Sequence, residues 1–372
     1  MKRNLLLTLL LFITSWAAVH AADFTVDGIP YNKNADGTVS VARGGKYSGS
    51  VVIPSSVEYD GNTYTVSAIG SSAFYQAGAT SVSIPSTVAT IGDNAFRECG
   101  SLQSVTIPNS VTTIGNNAFH KCYVLESIEI PNSVITIGNY AFYACRKLPS
   151  VTIGNSVTTI GYNAFNSCTG LQSVTIGNAV ESIGYSAFGG CTALASLDLG
   201  TSVETIEHDA FAGCKSLASV TIPNSTTTIG EMAFYNCDSI TTLTLGSSVQ
   251  SIGIYAFGAS YDLAIINSLS ITPPPIDSSV FSGYAYDYAT LYVPFISYQA
   301  YKEADVWKDF MNITTKGDIN RDGKIDIVDV DQIINIILGV EDSYDMYGTD
   351  FNGDLQIDVK DLNLLINIIL GL

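Results

Sequence analysis

The dipeptide Ala-Phe recurs through most of the chain with a period of 23 residues, after one first step of 22. A period this regular is typical of a solenoid, in which each repeat forms one coil. A unit of 23 residues is too small to close its own hydrophobic face, so successive coils must stack. The repeat therefore predicts an elongated molecule whose broad flanks suit binding better than catalysis. The repeat phenylalanines are Phe74, Phe96, Phe119, Phe142, Phe165, Phe188, Phe211, Phe234 and Phe257.

Each repeat contains a segment with apolar residues at its first, fourth and sixth places, as in Leu171, Val174 and Ile176. This spacing is that of the strand of a leucine-rich repeat, and its apolar residues are expected to form core ladders. After a turn, Val-Thr-Thr-Ile-Gly, as at 111–115, predicts a second short extended piece with Val and Ile inward. The glycine is expected to form the corner before a short helical turn that carries Ala-Phe.

All seven cysteines lie three residues after a repeat phenylalanine. The same place holds Ala77 in the first coil and Ser260 in the last, so it selects small size. A ladder of buried free thiols is favoured, although stacked coils would bring these positions within disulfide distance, roughly 5 Å between Cα atoms. A zinc site is disfavoured because the sequence has no Cys-x-x-Cys pair.

The segment from Leu102 to Cys122 resembles the BspA-type leucine-rich repeat, and nine consecutive copies carry the resemblance. It implies an α+β protein whose main part is a β-rich solenoid of 23-residue repeats, here assigned to residues 63–313 with a C-terminal cap. The resemblance also implies a secreted or surface-exposed protein, and some members of the family are adhesins.

Two segments before the solenoid have separate roles. Residues 1–21 read as a signal peptide, because Lys2 and Arg3 precede an apolar run that ends in Val19-His20-Ala21. Residues 22–62, with hairpin signals at Asp36-Gly37 and Asp60-Gly61, predict an N-terminal β cap. The expected mature protein is secreted or held at the cell surface, without a transmembrane segment. Its formal charge of −18 argues against nucleic-acid binding.

The outward strand places are mostly serine and threonine, which are ordinary strand formers on a solvated face. Tyrosines around the Ala-Phe turn are better candidates for ligand contact, because tyrosine joins apolar area to a polar tip. The candidates are Tyr140, Tyr143, Tyr162, Tyr185 and Tyr235. The predicted ligand is an extracellular protein or glycan that the sequence does not identify.

After residue 313 the composition changes, and residues 318–372 carry twelve acidic and three basic side chains. Two segments 32 residues apart place oxygen donors at the spacing of an EF-hand loop, which favours Ca²⁺. The second loop has Leu355 where the first has Gly323, so the second site is expected to be weaker. The predicted ligands are Asp318, Asn320, Asp322, the Lys324 carbonyl, Asp326 and Asp329, followed by Asp350, Asn352, Asp354, the Gln356 carbonyl, Asp358 and Asp361.

Each loop leads into an apolar helix, predicted at 330–338 and 362–370, with no helix expected before the loop. The duplicated loop and helix resemble a type I dockerin over residues 314–372. The resemblance implies a small all-α module that folds with calcium and docks onto a cohesin-like module of another protein. Family contact positions map to Ile327, Val328, Ile334 and Asn335 on the first helix, and to Val359, Lys360, Ile366 and Asn367 on the second.

These features predict an exported, non-catalytic protein whose solenoid binds a ligand and whose tail docks it to an assembly. One alternative is an extracellular carbohydrate-active enzyme, a class that often carries dockerins. It lacks support because His120 and His208 lie four coils apart and no insertion implies a pocket. The other alternative is a structural spacer of a surface complex, which would need a bland surface.

Overall fold

The computed structural model of the protein describes residues 21–320, 325–340, 346–351 and 356–370. Stacked 23-residue coils form a β-solenoid, which a small helical module follows, so the predicted fold class is confirmed. The predicted signal peptide lies outside the described residues except for Ala21. The boundaries of the four predicted segments stay predictions.

The N-terminal region forms hairpins that continue into the first coil. The turn signals at Asp36-Gly37 and Asp60-Gly61 each connect two antiparallel strands, as predicted. A third Asp-Gly turn at 27–28 joins the first two strands. All three turns hold residues with positive φ, which Asp and Gly adopt more readily than most residues. The strands are β1 (Phe24–Val26), β2 (Ile29–Lys33), β3 (Val39–Val41), β4 (Ser48–Val52), β5 (Ser56–Tyr59) and β6 (Asn62–Ile69).

One wall of the solenoid is a parallel sheet of two-residue strands, with Thr or Ser outward and Ile inward. Each strand pairs with its copy one repeat away, for example Ile114 with Ile137. The strands are β8 (Thr90–Ile91), β10 (Thr113–Ile114), β11 (Thr136–Ile137), β13 (Thr159–Ile160), β15 (Ser182–Ile183), β17 (Thr205–Ile206), β19 (Thr228–Ile229) and β21 (Ser251–Ile252). This wall extends the sheet that begins with β1 to β3 and β6.

The second wall consists of three parallel sheets built from the apolar-ladder segments. Their register is again one repeat, as in Val151 with Val174. The first sheet contains β4, β7 (Gly78–Ser83) and β9 (Ser104–Thr106); the second contains β12 (Ser150–Thr152), β14 (Ser173–Thr175) and β16 (Ser196–Asp198). The third contains β18 (Ser219–Thr221), β20 (Thr242–Leu245), β22 (Ile265–Ser268), β23 (Thr290–Val293) and β24 (Asn312–Thr315).

The Ala-Phe segment closes each coil with consecutive turns, so the predicted helical turn is wrong. In the first coil, Ala73 and Tyr75 donate backbone N–H groups to carbonyls three residues earlier, whereas Ser72 and Phe74 donate to the next coil. Residues two before and two after the repeat phenylalanine adopt positive φ, as at Asn117 (55°) and Lys121 (59°). The alternation satisfies the backbone within and between coils.

The glycine before this segment forms the corner, as predicted, and close approach of the preceding coil favours it there. Gly138 does not have a positive φ, but a Cβ added there would lie 2.6 Å from the backbone nitrogen of Asn116 in the preceding coil. Adjacent coils therefore touch backbone to backbone at this corner.

The solenoid core is a stack of buried phenylalanine rings with neighbouring ring centroids 4.9 to 5.3 Å apart. All seven cysteines are free and buried beside this stack, as favoured above. Each thiol donates to a phenylalanine carbonyl of the preceding coil, for example Cys122 to Phe96 at 3.1 Å. Burial raises the pKa of the Cys99 thiol to about 12, so this ladder holds protonated thiols.

The C-terminal cap covers the last phenylalanine with other aromatic rings. Trp307 and Tyr301 are fully buried, and their ring centroids lie 5.3 Å apart. The Trp307 indole N–H donates to the Pro274 carbonyl at 2.7 Å. The cap elements are α1 (Gly283–Tyr288), α2 (Tyr298–Glu303) and 3₁₀ turns at Phe295–Ser297 and Trp307–Asp309.

The tail contains α3 (Ile327–Ile337), α4 (Met346–Thr349) and α5 (Val359–Leu370). The two long helices begin three residues earlier than predicted because an aspartate precedes each of them: Asp326 caps α3, with Val328 donating to its carboxylate at 2.9 Å. The four residues of α4 precede the second loop, where no helix was expected. Val330, Ile333 and Leu365 form a small buried core.

Candidate functional site

The carboxylates of Asp329 and Asp361 stand at the same place of the two predicted calcium loops and are fully buried. One oxygen of Asp329 accepts from the backbone N–H groups of Ile319 (2.8 Å) and Asn320 (3.3 Å), and the other accepts from Asp326 (2.9 Å). Each aspartate therefore ties the start of its helix back to the start of its loop.

Asp361 repeats the arrangement in the second loop. It accepts from the backbone of Phe351 at 2.8 Å and of Asp358 at 2.9 Å. Lys360 donates its backbone N–H to Asp358 at 2.7 Å, as Val328 does to Asp326. The structure therefore gives the two loops matching backbone geometry over the residues it describes.

The chemistry of the donor set fits a calcium ion. Asp318 and Asp350, at the first place of each loop, are buried like Asp329 and Asp361. Buried carboxylates within one short loop are costly unless a cation balances them, and hard oxygen donors suit Ca²⁺. Asn320, Asp326 and Asp358 are half-buried, whereas Gln356 is exposed.

Four predicted ligands, Asp322, Lys324, Asn352 and Asp354, lie outside the described residues. Within the residues that the structure describes, no group of three or more His, Cys, Asp or Glu side chains is close enough to hold a metal ion. The ligand assignments and the weaker second site stay predictions.

The predicted docking positions divide into exposed and packed residues. Ile327 and Val359, at the first position of α3 and α5, are 67% and 59% exposed. Val328, Lys360 and Asn367 are also exposed, and Asn335 is half-buried. Ile334 and Ile366 pack partly against the small core of the module. Among the predicted docking positions, the exposed apolar side chains therefore lie at the N-terminal ends of the two helices.

The tail follows the solenoid without a spacer. The last solenoid strand ends at Thr315, and the first predicted calcium loop begins at Asp318. Between them, Gly317 donates its backbone N–H to Gly348 at 3.0 Å, and the Lys316 ammonium donates to the Asp350 carbonyl at 3.2 Å. Nothing in the local sequence signals these contacts.

The predicted tyrosines form three groups along the turn edge of the solenoid. Tyr140 contacts Tyr143 and Tyr162, with centroids 5.8 and 5.2 Å apart. Tyr185 and Tyr235 lie in separate groups, beside His208 and Tyr255. Tyr162, Tyr185 and Tyr235 are exposed, whereas Tyr140 and Tyr143 are half-buried.

The two histidines of the described chain lie on this edge in different settings. His120 stacks on Tyr143, and burial, with Arg97 and Lys121 nearby, lowers its pKa to about 4. His208 contacts the Glu231 carbonyl at 2.7 Å. In the part of the chain that the structure describes, neither histidine is hydrogen-bonded to a serine or cysteine. That geometry does not support a nucleophile activated by histidine.

Sequence reasoning missed an apolar cavity of about 570 Å³ where the solenoid meets the tail. The exposed side chains of Leu269, Phe295 and Ile296 line it, together with Lys316. Asn267, at its base, is buried, and its side-chain oxygen has no hydrogen-bond partner. The local sequence shows no signal for the cavity because its walls come from three separate segments.

Among the described residues, no helix combines the length and hydropathy needed to cross a membrane. The model of the BspA type leucine-rich repeat region matches residues 67–195 and 181–303, together more than half of the chain. The model of the dockerin type I domain matches residues 316–370. A search of curated proteins finds no match.

Solved structures of bacterial leucine-rich repeat proteins are similar to this chain. One, a leucine-rich repeat protein from Bacteroides ovatus, is 27% identical, covers 78% of this chain and 88% of its own, and has a TM-score of 0.54. Another, a leucine-rich cell surface protein from Faecalibacterium prausnitzii, is 25% identical, covers 82% and 97%, and has a TM-score of 0.45.

Proposed function

Because this chain belongs to the BspA-type leucine-rich repeat family and ends in a type I dockerin domain, we propose that it is an extracellular, non-catalytic binding protein. In this proposal, the solenoid recognises an extracellular protein or glycan, and the tail docks the molecule, in the presence of calcium, onto a cohesin-like module.

The proposed docking function of the tail rests on one observation. The two loops match in their hydrogen bonds, and the first residues of the two helices that follow them are exposed. Asp329 and Asp361 organise the two loops alike, and Ile327 and Val359 present apolar side chains at equivalent helix positions. Exposed aliphatic residues beside polar ones suit the rim and core of a protein interface. Calcium would supply positive charge to the buried carboxylates and so stabilise the loops that orient both helices.

The solenoid half rests on the aromatic edge. Solvent-exposed tyrosines on a repeating rigid scaffold offer contact area with little loss of side-chain freedom on binding. For the alternative of a carbohydrate-active enzyme, we find no catalytic arrangement of side chains among the described residues. The alternative of a structural spacer predicts that the solenoid binds no ligand.

The docking proposal is tested by measuring binding of the full chain to purified cohesin modules, with calcium and with a chelator. We expect binding with calcium only, and its loss in the double variant Ile327→Asp and Val359→Asp. Leu338→Asp is the matched control, because Leu338 is 69% exposed at the far end of α3. The proposal would be contradicted if the chelator did not reduce binding to cohesin modules, or if the double variant still bound them.

A further inference from the structure

The two halves of the solenoid differ in charge. Residues 71–148 carry four basic and four acidic side chains, whereas residues 149–315 carry three basic and thirteen acidic side chains. In a chain of formal charge −18, the first four coils are therefore the part of the solenoid that repels an anion least.

In these four coils, the residue directly after each repeat phenylalanine is large and aromatic or basic. These residues, which we call the edge ladder, are Tyr75, Arg97, His120 and Tyr143. The same place holds Asn166, Gly189 and Ala212 in the next three coils. The edge ladder thus ends where the acidic half begins.

The backbone fixes the spacing of the edge ladder. The carbonyls of Arg97, His120 and Tyr143 accept N–H groups from the preceding coil at 2.9, 2.7 and 2.7 Å. The phenylalanines beside them stack at 4.9 to 5.1 Å, which sets the rise of one coil. The ladder therefore presents one ring or guanidinium group about every 5 Å along the solenoid axis.

The Arg97 guanidinium and the rings of the edge ladder contact their neighbours on this surface. The Arg97 guanidinium lies 6.0 Å from the Tyr75 ring, and the His120 and Tyr143 rings stack at 5.0 Å. Arg97 is held by Glu98 at 3.4 Å. Among the residues that the structure describes, neither Lys121 nor Arg146 makes an ion pair, so positive charge remains available.

Tyr140 adds ring area to this surface at a conformational cost. Its φ is 56°, in the left-handed region, where the neighbouring coils have Asn117 and Asn163. The closure of every coil imposes this conformation, and the same position holds Met232 and Tyr255 in two later coils. The tyrosine nevertheless places its ring against Tyr143 and Tyr162, which extends the edge ladder into the fifth coil.

We propose that the edge ladder and Tyr140 bind an acidic polysaccharide that lies parallel to the solenoid axis. Pyranose rings would lie across the outward edges of the stacked aromatic side chains, and carboxylate groups would pair with Arg97 and Lys121. A single pyranose in an extended chain advances by about the rise of one coil, so successive sugars and successive coils stay in register. The inference rests on the proposed function of the solenoid and narrows its ligand to one class.

The geometry favours this ligand over other anionic chains. An extended peptide repeats its side chains on one face about every 6.6 Å, which falls out of register with the coils within a few residues. Nucleic acid carries a denser charge that the acidic second half of the solenoid would repel.

The test is calorimetric titration of the full chain with an oligogalacturonide and with the same oligomer after reduction of its carboxyl groups. We expect the charged oligomer to bind about tenfold more tightly than the reduced one, and added salt to weaken it. The double variant Arg97→Gln and Lys121→Gln should lose about tenfold in affinity for the charged oligomer alone. Tyr143→Ala should weaken both oligomers.

Tyr235→Ala is the matched control, because Tyr235 occupies the same repeat position in the acidic half. Equal losses in Tyr143→Ala and Tyr235→Ala, or equal binding of the two oligomers, would overturn the inference. Binding of an acidic protein, but of neither oligomer, would overturn the ligand class and leave the proposed function intact. Failure of the solenoid to bind any extracellular protein or glycan would overturn both the ligand class and the proposed function. Thermal unfolding of each variant confirms that it is folded.

Discussion

The solenoid and the tail are both built by repetition, but they use the copies differently. In the solenoid, coils hydrogen-bond and stack directly on their copies, as in the pairing of Ile114 with Ile137 and the stacking of Phe142 on Phe165. In the tail, Asp329 and Asp361 make their hydrogen bonds within their own loop, and the copies meet through a core of three buried residues. Stability therefore comes from packing between copies in one region and from polar contacts within each copy in the other.

This difference has a consequence for cooperativity. A stack of coils spreads a local defect over its neighbours, whereas two small loops with little shared core depend on each carboxylate and, under the proposed function, on the cation that would balance it. Four changes test the contrast.

Asp329→Ala should have the largest effect. Three backbone N–H groups lose their acceptor at about 1–3 kcal/mol each, and the loop loses a buried carboxylate. We expect residues 325–340 and 356–370 to lose protection in hydrogen exchange with calcium present, while the solenoid stays protected. Asp331→Ala, on the exposed face of the same helix, should leave protection unchanged. Persistent protection in Asp329→Ala would mean that the helices pack without the loop.

Phe165→Ala should destabilise the solenoid by about 3–5 kcal/mol, because the ring is fully buried between two others. Urea unfolding followed by fluorescence measures this loss, which a chelator should not change. Phe295→Ala, at a ring that is 48% exposed, should cost about 0.5 kcal/mol or less. A calcium-dependent effect of Phe165→Ala would show that the two regions share their stability.

Gly138→Ala should cost about 1–3 kcal/mol, because the new Cβ meets the backbone of the preceding coil at 2.6 Å. Gly100→Ala should instead stabilise by about 0.4–1 kcal/mol, since no atom lies within 4 Å of the added Cβ and φ is not left-handed. Thermal unfolding of both variants compares them. Equal effects would mean that the neighbouring coil accommodates a Cβ at this corner, where another coil already holds Glu207.

Tyr140→Asn should raise the free energy of unfolding by about 1 kcal/mol, because asparagine adopts the left-handed conformation more readily than tyrosine. The reverse change, Asn163→Tyr, should lower it by a similar amount at the same repeat position. If Tyr140→Asn proves destabilising in urea unfolding, packing of the ring against Tyr143 and Tyr162 outweighs the backbone strain.

Much of the solenoid could be predicted because its period of 23 residues makes every inward position repeat. The buried ladders follow from residue type and spacing, and the small residues at the cysteine position favoured free thiols over disulfides. The left-handed residues could not be predicted, since Lys121 and Tyr140 do not favour positive φ and only the closure of the coil imposes it. The role of Gly138 also depends on how closely two coils approach, which no local pattern records.

In the tail, the loop spacing led to both buried aspartates, whereas the earlier helix starts were missed. The prediction counted apolar periodicity and began each helix at its first core residue. The structure shows that capping by Asp326 and Asp358 adds three residues to the start of each helix, of which the first two, including Ile327 and Val359, are exposed. The cavity at the junction has no sequence signal because its residues come from distant segments.

The direct connection between β24 and the first loop determines how force would reach the molecule. With only Lys316 and Gly317 between the last strand and Asp318, a pull on a docked tail is transmitted to β24 without an elastic segment to absorb it. That strand is held by four residues paired with β23. The mechanical strength of the attachment would therefore be set by this short pairing and the aromatic cap beside it, and not by the long stack of coils.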